Sequence, residues 1–269
     1  EEVTKSKSEQ VEEVPLRGED DEEMPEVASL NCPEAVVAAA SFYCFRCLMP
    51  SYTPACHGLF RGIKIKTLEG SILSAKRPAA VAAGNVETSM RLVDLIFGAL
   101  SKASSELIPS AGQGTMNNLA MGLISESQNT RWDYYETVAG GTGGGPNHPG
   151  LDGKHSHMTN TLNTPIESLE MHYPLRIKRY EIRDHSGGVG QNRGGDGIVR
   201  EYEFLDNARV TILSERRSRG PWGLKGGRSG APGKNLLNGN LLPGKCSFEV
   251  NHGDKLSIMT PGGGGWGGE

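Results

Sequence analysis

Two histidines one residue apart, His155 and His157, lie among Asp152, Asn160 and Thr161 in a run with few large apolar side chains. Upstream the run begins as Gly140-Gly141-Thr142-Gly143-Gly144-Gly145, followed by Pro146-Asn147-His148-Pro149. An imidazole titrates near neutrality, so it can take a proton from water or donate to an activated oxygen. If residues 155–157 are extended, both rings project to one side, because strand side chains alternate with a period of two. Such a pair could also bind a metal, but two ligands are too few to assign one. Glycine lets a charged group approach the backbone closely, and successive N–H groups can form an anion-binding concavity. Gly143 and Gly144, with Asn147 and His148 beside them, are candidates for that role. Asn160 and Thr161 can orient a substrate amide or satisfy the backbone of a turn. The alternative for the whole stretch is a long surface loop, glycine-rich because its turns need positive φ, with both imidazoles bonded to neighbouring loops.

Arg216 and Arg217 stand next to Glu215. They can clamp a carboxylate or phosphate in bidentate fashion, or form a surface ion pair with Glu215. Cys44, Cys47, Cys56 and His57 carry ligand types suited to zinc. No second knuckle accompanies them and cysteine is common in buried helices, so the cysteines are read as buried thiols and no metal is assigned. Asn117 and Asn118 fall in a small, glycine-punctuated stretch, 109–122. It reads as a second loop near a ligand or as an ordinary connection.

The elements that must hold these residues follow from pattern. Asn31-Cys32-Pro33-Glu34 opens a helix with Asn31 as its cap, and its body AVVAAASFYCFRCL is apolar nearly all round, which predicts burial. Residues 60–76 read as a strand pair, with Ile63 and Ile65 alternating with Lys64 and Lys66. Asn85 caps the next helix, which carries one stripe of Val86, Met90, Val93, Phe97 and Leu100 and another of Leu92, Ile96, Ala99 and Ala103. WDYYETVAGG is a strand running into the glycines. Thr164-Pro165-Ile166-Glu167 is a capping box opening a short helix to about His172. The strand 175–183 shifts its apolar phase between Ile177 and Tyr180, which predicts a bulge. EYEFL with ARVTILS, and CSFEV with KLSIM, read as two hairpins. The expected fold is α+β: buried helices in the N-terminal half, and mostly antiparallel β-sheet with long glycine-rich loops in the C-terminal half.

Composition narrows the class. The 269 residues suffice for one large domain or two ordinary ones, and 36% hydrophobic with 22% charged fits a soluble globular chain. Residues 1–29 are an acidic arm or linker, unable to bury enough apolar surface alone. The remainder, 30–267, has a possible sub-boundary near 125–140. No uninterrupted apolar run is long enough to span a membrane. A net charge of −4 without a basic stripe gives no support to nucleic-acid binding. Five cysteines, an odd number, favour reduced thiols and a cytoplasmic location. No GxxxxGK[ST] loop is present, so the chain lacks the usual sign of holding ATP by itself.

Five stretches together resemble one family. AAVAAGNVETS at 79–89, HSHMTNTLNTPIESLE at 155–170, SGGVGQNRGGDGIVREYEF at 186–204, ERRSRGPWGLKGG at 215–227 and LSIMTPGGGGWG at 256–267 are similar to the hydantoinase B/5-oxoprolinase family, in the expected order. The similarity covers the C-terminal half of a usual member. It implies a hydantoinase A-type partner subunit that binds ATP and phosphorylates a substrate carbonyl oxygen. The B-type part then handles attack on the activated group. Implied substrates are 5-oxoproline, hydantoins and related lactams, which are hydrolysed. The acetone and acetophenone carboxylases are similar and form a C–C bond instead. The family's metal motifs, THLPD-like and HHAD-like, are absent here, so a divalent metal is expected on the missing N-terminal half or another chain. A third expectation is a non-catalytic scaffold within such a complex. On the hydrolase reading His155 and His157 are catalytic, while Gly143, Gly144, Asn147, His148, Asn160, Thr161, Arg216 and Arg217 bind the substrate.

Overall fold

A computed structural model describes residues 30–54, 56–125 and 130–268. The acidic stretch 1–29 lies outside them. Helix α1 (Glu34–Leu48) packs on helix α2 (Ser89–Ala103), which a π-type turn, Gly84–Thr88, precedes. Their shared core holds Cys32, Val37, Ala40, Cys44, Leu92, Val93, Phe97 and Ile108. Val93, Phe97 and Leu100 of the first α2 stripe and Leu92 and Ile96 of the second fall on this core, whereas Ala99 and Ala103 of the second stripe are exposed. Only one face of α1 is buried, at Val37, Ala40, Ser41 and Cys44. The Asn31 side chain does not cap it: its amide donates to the Ala80 carbonyl, and Asn85 likewise makes no cap at α2. Among the described residues no helix is long and apolar enough to cross a membrane.

Among the described residues nine strands make two antiparallel sheets. One has the order β2–β1–β5–β8, from Thr130–Glu136, Asn118–Ser125, Ala208–Leu213 and Lys245–Val250. The other has the order β3–β4–β9–β6–β7, from Leu175–Arg183, Gly197–Phe204, Lys255–Met259, Lys234–Leu237 and Asn240–Leu242. The sheets share one core. Leu119, Val210, Ile212 and Val250 from the first meet Tyr202, Phe204, Leu256 and Ile258 from the second, and Leu169 of α3 (Ile166–His172) closes it. The layout is the expected α+β.

Several local expectations change. A short 3-10 turn, His57–Phe60, leads into 61–76, which is extended and turning chain without a strand. Ile63 and Ile65 are half-buried and Lys64 and Lys66 exposed, so the alternation is real, but among the described residues this segment joins neither sheet. The stretch 109–122 is not all loop, because Asn118 begins β1. Neither predicted hairpin exists. β4 pairs with β3 and β9 while β5 pairs with β1 and β8, and β8 and β9 are likewise divided between the sheets. Both tight connections carry the chain from one sheet to the other, so the joined strands meet through core side chains. The bulge occurs at Ile177/Arg179 as expected, and α3 spans the predicted residues, although Thr164 makes no side-chain cap.

Glycine-rich segments join the helical and sheet cores. At their centre runs Pro261–Trp266. The N–H groups of Gly262, Gly263, Gly264, Gly265 and Trp266 donate in turn to the carbonyls of Ala231, Gly195, Ala111, Arg228 and Asn192. Residues 228–231, then 192–195, then 111 are addressed in rotation, a repeat of three. Three residues per turn is the period of the polyproline-II helix, in which the backbone bonds outward in several directions.

Candidate functional site

The residues from Gly140 to Thr161 part company in the structure. Gly143 and Gly144 are buried in the glycine stack. The Gly144 N–H donates to the Gly264 carbonyl at 2.9 Å, Gly141 donates to Pro261 at 3.0 Å, and Gly145 donates to His148 at 2.9 Å. A Cβ on Gly143 would stand 1.8 Å from the Ser110 carbonyl oxygen, so glycine is required here by close approach of a neighbouring chain. Three of the N–H groups expected to cradle an anion are thus spent on protein carbonyls. Asn147 and His148 form an exposed turn beyond the stack, with His148 Nδ1 3.0 Å from the Pro149 carbonyl.

The two histidines do not share a side. His157 adopts φ 58°, which breaks the extended alternation and swings its ring inward. Its Nδ1 lies 3.1 Å from the Tyr43 hydroxyl, with Tyr43 and Phe97 against its ring. Burial holds its pKa below the usual histidine value, against the opposing charge of Asp94. It ties the loop to the two helices.

His155 faces the other way, into a cavity of about 170 Å³ lined also by Lys154, Asn160, Thr161, Asn163 and Tyr180. That volume is below the range of drug-sized pockets and suits a small ring. Thr159 Oγ1 lies 3.0 Å from His155 Nδ1, and Thr161 Oγ1 lies 3.4 Å from Nε2. Thr161 is in turn 2.7 Å from Thr137 Oγ1. Burial first, then the neighbouring Lys154 charge, lowers the pKa of His155. Both effects favour the neutral imidazole, the form able to accept a proton.

Behind the cavity is a buried polar layer that no local motif signals. Glu136, at the end of β2, receives hydrogen bonds from Arg200 Nε at 2.9 Å, Tyr134 at 3.0 Å, Asn163 at 2.7 Å and the Tyr202 hydroxyl. Arg200 is fully buried and Glu136 is nearly so. Asn163 and Tyr180, which the sequence reading passed over, connect this layer to the cavity. One signal was available: Asn163 falls inside the long stretch 155–170 on which the family resemblance rests.

Arg216 and Arg217 lie away from the cavity, and neither pairs with the Glu215 side chain, which Lys245 takes at 2.6 Å. Arg216 Nη2 donates to Asp94 at 2.7 Å, joining the β5–β6 connection to α2. Arg217 donates to Asn117 at 2.9 Å and to Asn235 at 2.8 Å, and burial lowers its pKa to about 10. Cys44 is buried while Cys47 and Cys56 are exposed, and among the described residues no three His, Cys, Asp or Glu side chains converge as a metal site.

The family model for hydantoinase B/oxoprolinase matches residues 19–269. The chain belongs to the hydantoinase B/oxoprolinase family. It is 43% identical over 249 residues to 5-oxoprolinase 1 of Arabidopsis thaliana, which covers 90% of this chain and 19% of that protein. The chain thus spans about a fifth of that relative's length. Two solved structures share the fold. The ATP-dependent caprolactamase of Pseudomonas jessenii aligns with a TM-score of 0.75 at 21% identity, over 89% of this chain and 44% of that one. A nucleotide-free acetone carboxylase aligns with a TM-score of 0.70 at 15% identity, over 89% and 38%.

Proposed function

We propose that this chain is part of an ATP-dependent hydrolase of cyclic amides, with 5-oxoproline, a hydantoin or a related lactam as substrate. A hydantoinase A-type partner supplies ATP chemistry and phosphorylates the substrate carbonyl. The N-terminal half of a B-type subunit completes the assembly and would hold any divalent metal. The reading is supported by kinship with 5-oxoprolinases. The observation that carries it is a neutral, half-buried His155 on a small cavity edged by amide and hydroxyl groups.

In this reading His155 accepts a proton from the water that attacks the activated carbonyl carbon. Thr159 fixes the ring from its Nδ1 side, which leaves Nε2 directed toward Thr161 and the cavity. Asn160 and Thr161 orient the ring of the substrate. His157 holds the loop in place without touching substrate, and the glycine stack makes the loop's backbone rigid.

The test is substrate-dependent ATP consumption by the native complex, purified through a tag on this chain and with each subunit identified by mass. His155→Gln is expected to lower kcat by about 10²–10⁴-fold, the usual worth of a general base, with assembly intact. The base works when unprotonated and its pKa lies below the ordinary 6.5, so kcat/KM should fall only as pH drops below that value. Full turnover in the variant would leave the scaffold role. ATP consumption that needs acetone and bicarbonate in place of a lactam would move the chain to the carboxylase branch.

A further inference from the structure

The Asn163 carboxamide carries two N–H donors and one acceptor oxygen. Its nitrogen lies 2.7 Å from Glu136 Oε2 and 2.9 Å from the Thr137 carbonyl oxygen. Both partners are acceptors, so the nitrogen must stand on that side and Oδ1 must face away. There the Tyr180 hydroxyl donates to Asn163 Oδ1 at 3.1 Å. A phenol has one hydrogen. While that hydrogen is on Asn163, the oxygen of the part-exposed Tyr180 meets a further partner as an acceptor.

The ring bearing this oxygen is held from behind. The Arg200 guanidinium carbon sits 4.4 Å from the Tyr180 ring centroid and 5.4 Å from that of Tyr202. Among the described residues Arg200 Nη1 and Nη2 are buried without a hydrogen-bond partner, and the guanidinium lies against the faces of these rings. Arg200 Nε is anchored on Glu136 Oε1 at 2.9 Å. One carboxylate therefore fixes both the direction of the Asn163 amide and the cation beneath Tyr180. Tyr180 lines the same cavity as His155, Asn160 and Thr161.

We propose that Tyr180 reads the ring N–H of the substrate, its phenolic oxygen accepting that hydrogen bond while Asn163, set by Glu136, holds its hydrogen. The proposal rests on the cyclic-amide reading above and narrows it. Lactams, imides and hydantoins with a free N–H fit the site, whereas lactones and ketones have nothing to donate.

The experiment uses the native complex with ATP and either 5-oxoproline or its N-methyl derivative. Wild type should prefer the parent compound by about tenfold or more in kcat/KM, because methylation removes the donor. Tyr180→Phe keeps the ring and its stacking. It should lower kcat/KM for the parent by about three- to tenfold, mainly through KM, and leave the N-methyl compound unchanged. Equal losses for both compounds would mean a damaged pocket and would overturn the assignment. If the variant does not assemble, wild type alone decides: turnover of the N-methyl compound as fast as the parent overturns it. An active wild type with an unaltered preference in Tyr180→Phe removes Tyr180 alone. A wild type that consumes no ATP with any lactam removes the hydrolase reading, and the Tyr180 assignment with it.

Discussion

Glu87 sits in the π-type turn before α2 and is 1% exposed. Its Oε1 accepts from the Thr115 hydroxyl at 3.0 Å, the Met116 N–H at 3.0 Å and the Asn118 amide at 2.6 Å, while Oε2 is buried with no hydrogen-bond partner among the described residues. Burial outweighs these bonds and raises its pKa to about 8 from an ordinary 4.5. Between those two values the folded chain binds more protons at this site than the unfolded chain does. The stability it contributes is therefore complete below about pH 4.5 and is lost as pH rises toward about 8. Glu87→Gln is neutral throughout and should flatten this part of the profile. Urea midpoints at about pH 5 and about pH 9 check it. Parallel profiles for wild type and variant would refute it. The same reasoning separates the two histidines. Both have lowered pKa values from burial, and His155 lines the cavity whereas His157 lies against Tyr43 and Phe97, so under the proposed function a pH effect on turnover is expected from His155.

Among the elements, the central glycine segment is the one whose role differs most from its appearance in sequence. A Cβ on Gly263 would stand 1.9 Å from the Thr142 carbonyl oxygen, where backbone cannot yield cheaply. Gly263→Ala is expected to destabilise by about 4 kcal/mol or more, the range reserved for disrupted packing of this kind. Gly62→Ala, with nothing within 4 Å of its added methyl, should stay within about 0.5 kcal/mol of wild type. Thermal unfolding of the two variants compares them directly. A tolerated Gly263→Ala would show that the stack can open. The segment was legible as glycine-rich, but its three-way bonding was not. Its partners at 111, 192–195 and 228–231 lie far apart in sequence, and only the folded chain brings them together.

For the whole molecule, stability should depend on the core between the two sheets. Phe204 is fully buried there, on a strand joined by a tight turn to one in the opposite sheet. Phe204→Ala is expected to cost about 3–5 kcal/mol, read as a lower denaturant midpoint with the slope unchanged. Leu162→Ala, at a residue 98% exposed, should leave the midpoint in place. Equal effects would mean that the sheets do not carry the fold together. This core also bears on the site. Glu136 and Arg200 come from different sheets, so the orientation of Asn163 and Tyr180 depends on the sheets remaining in contact.

The sequence by itself determined what depends on neighbours along the chain. The buried face of α2, the extent of α3, the segments of β2, β3, β4, β5, β8 and β9 and the β3 bulge follow from local periodicity and turn chemistry, whereas β1, β6 and β7 were not read and 60–76 was misread as strand; His155, Asn160 and Thr161 were legible as a polar cluster. The long motifs also carried the family. Tertiary structure alone decided which strands share a sheet, because a tight turn reverses the chain whether its arms then pair by backbone or pack by side chain. It decided that Gly143 and Gly144 serve the interior, since free and bonded N–H groups read alike in sequence. It turned His157 inward through one left-handed residue, and it joined Glu136, Asn163, Tyr180 and Arg200 across both sheets. Local pattern records the bonds a residue can make, and the packed fold selects the partners it meets.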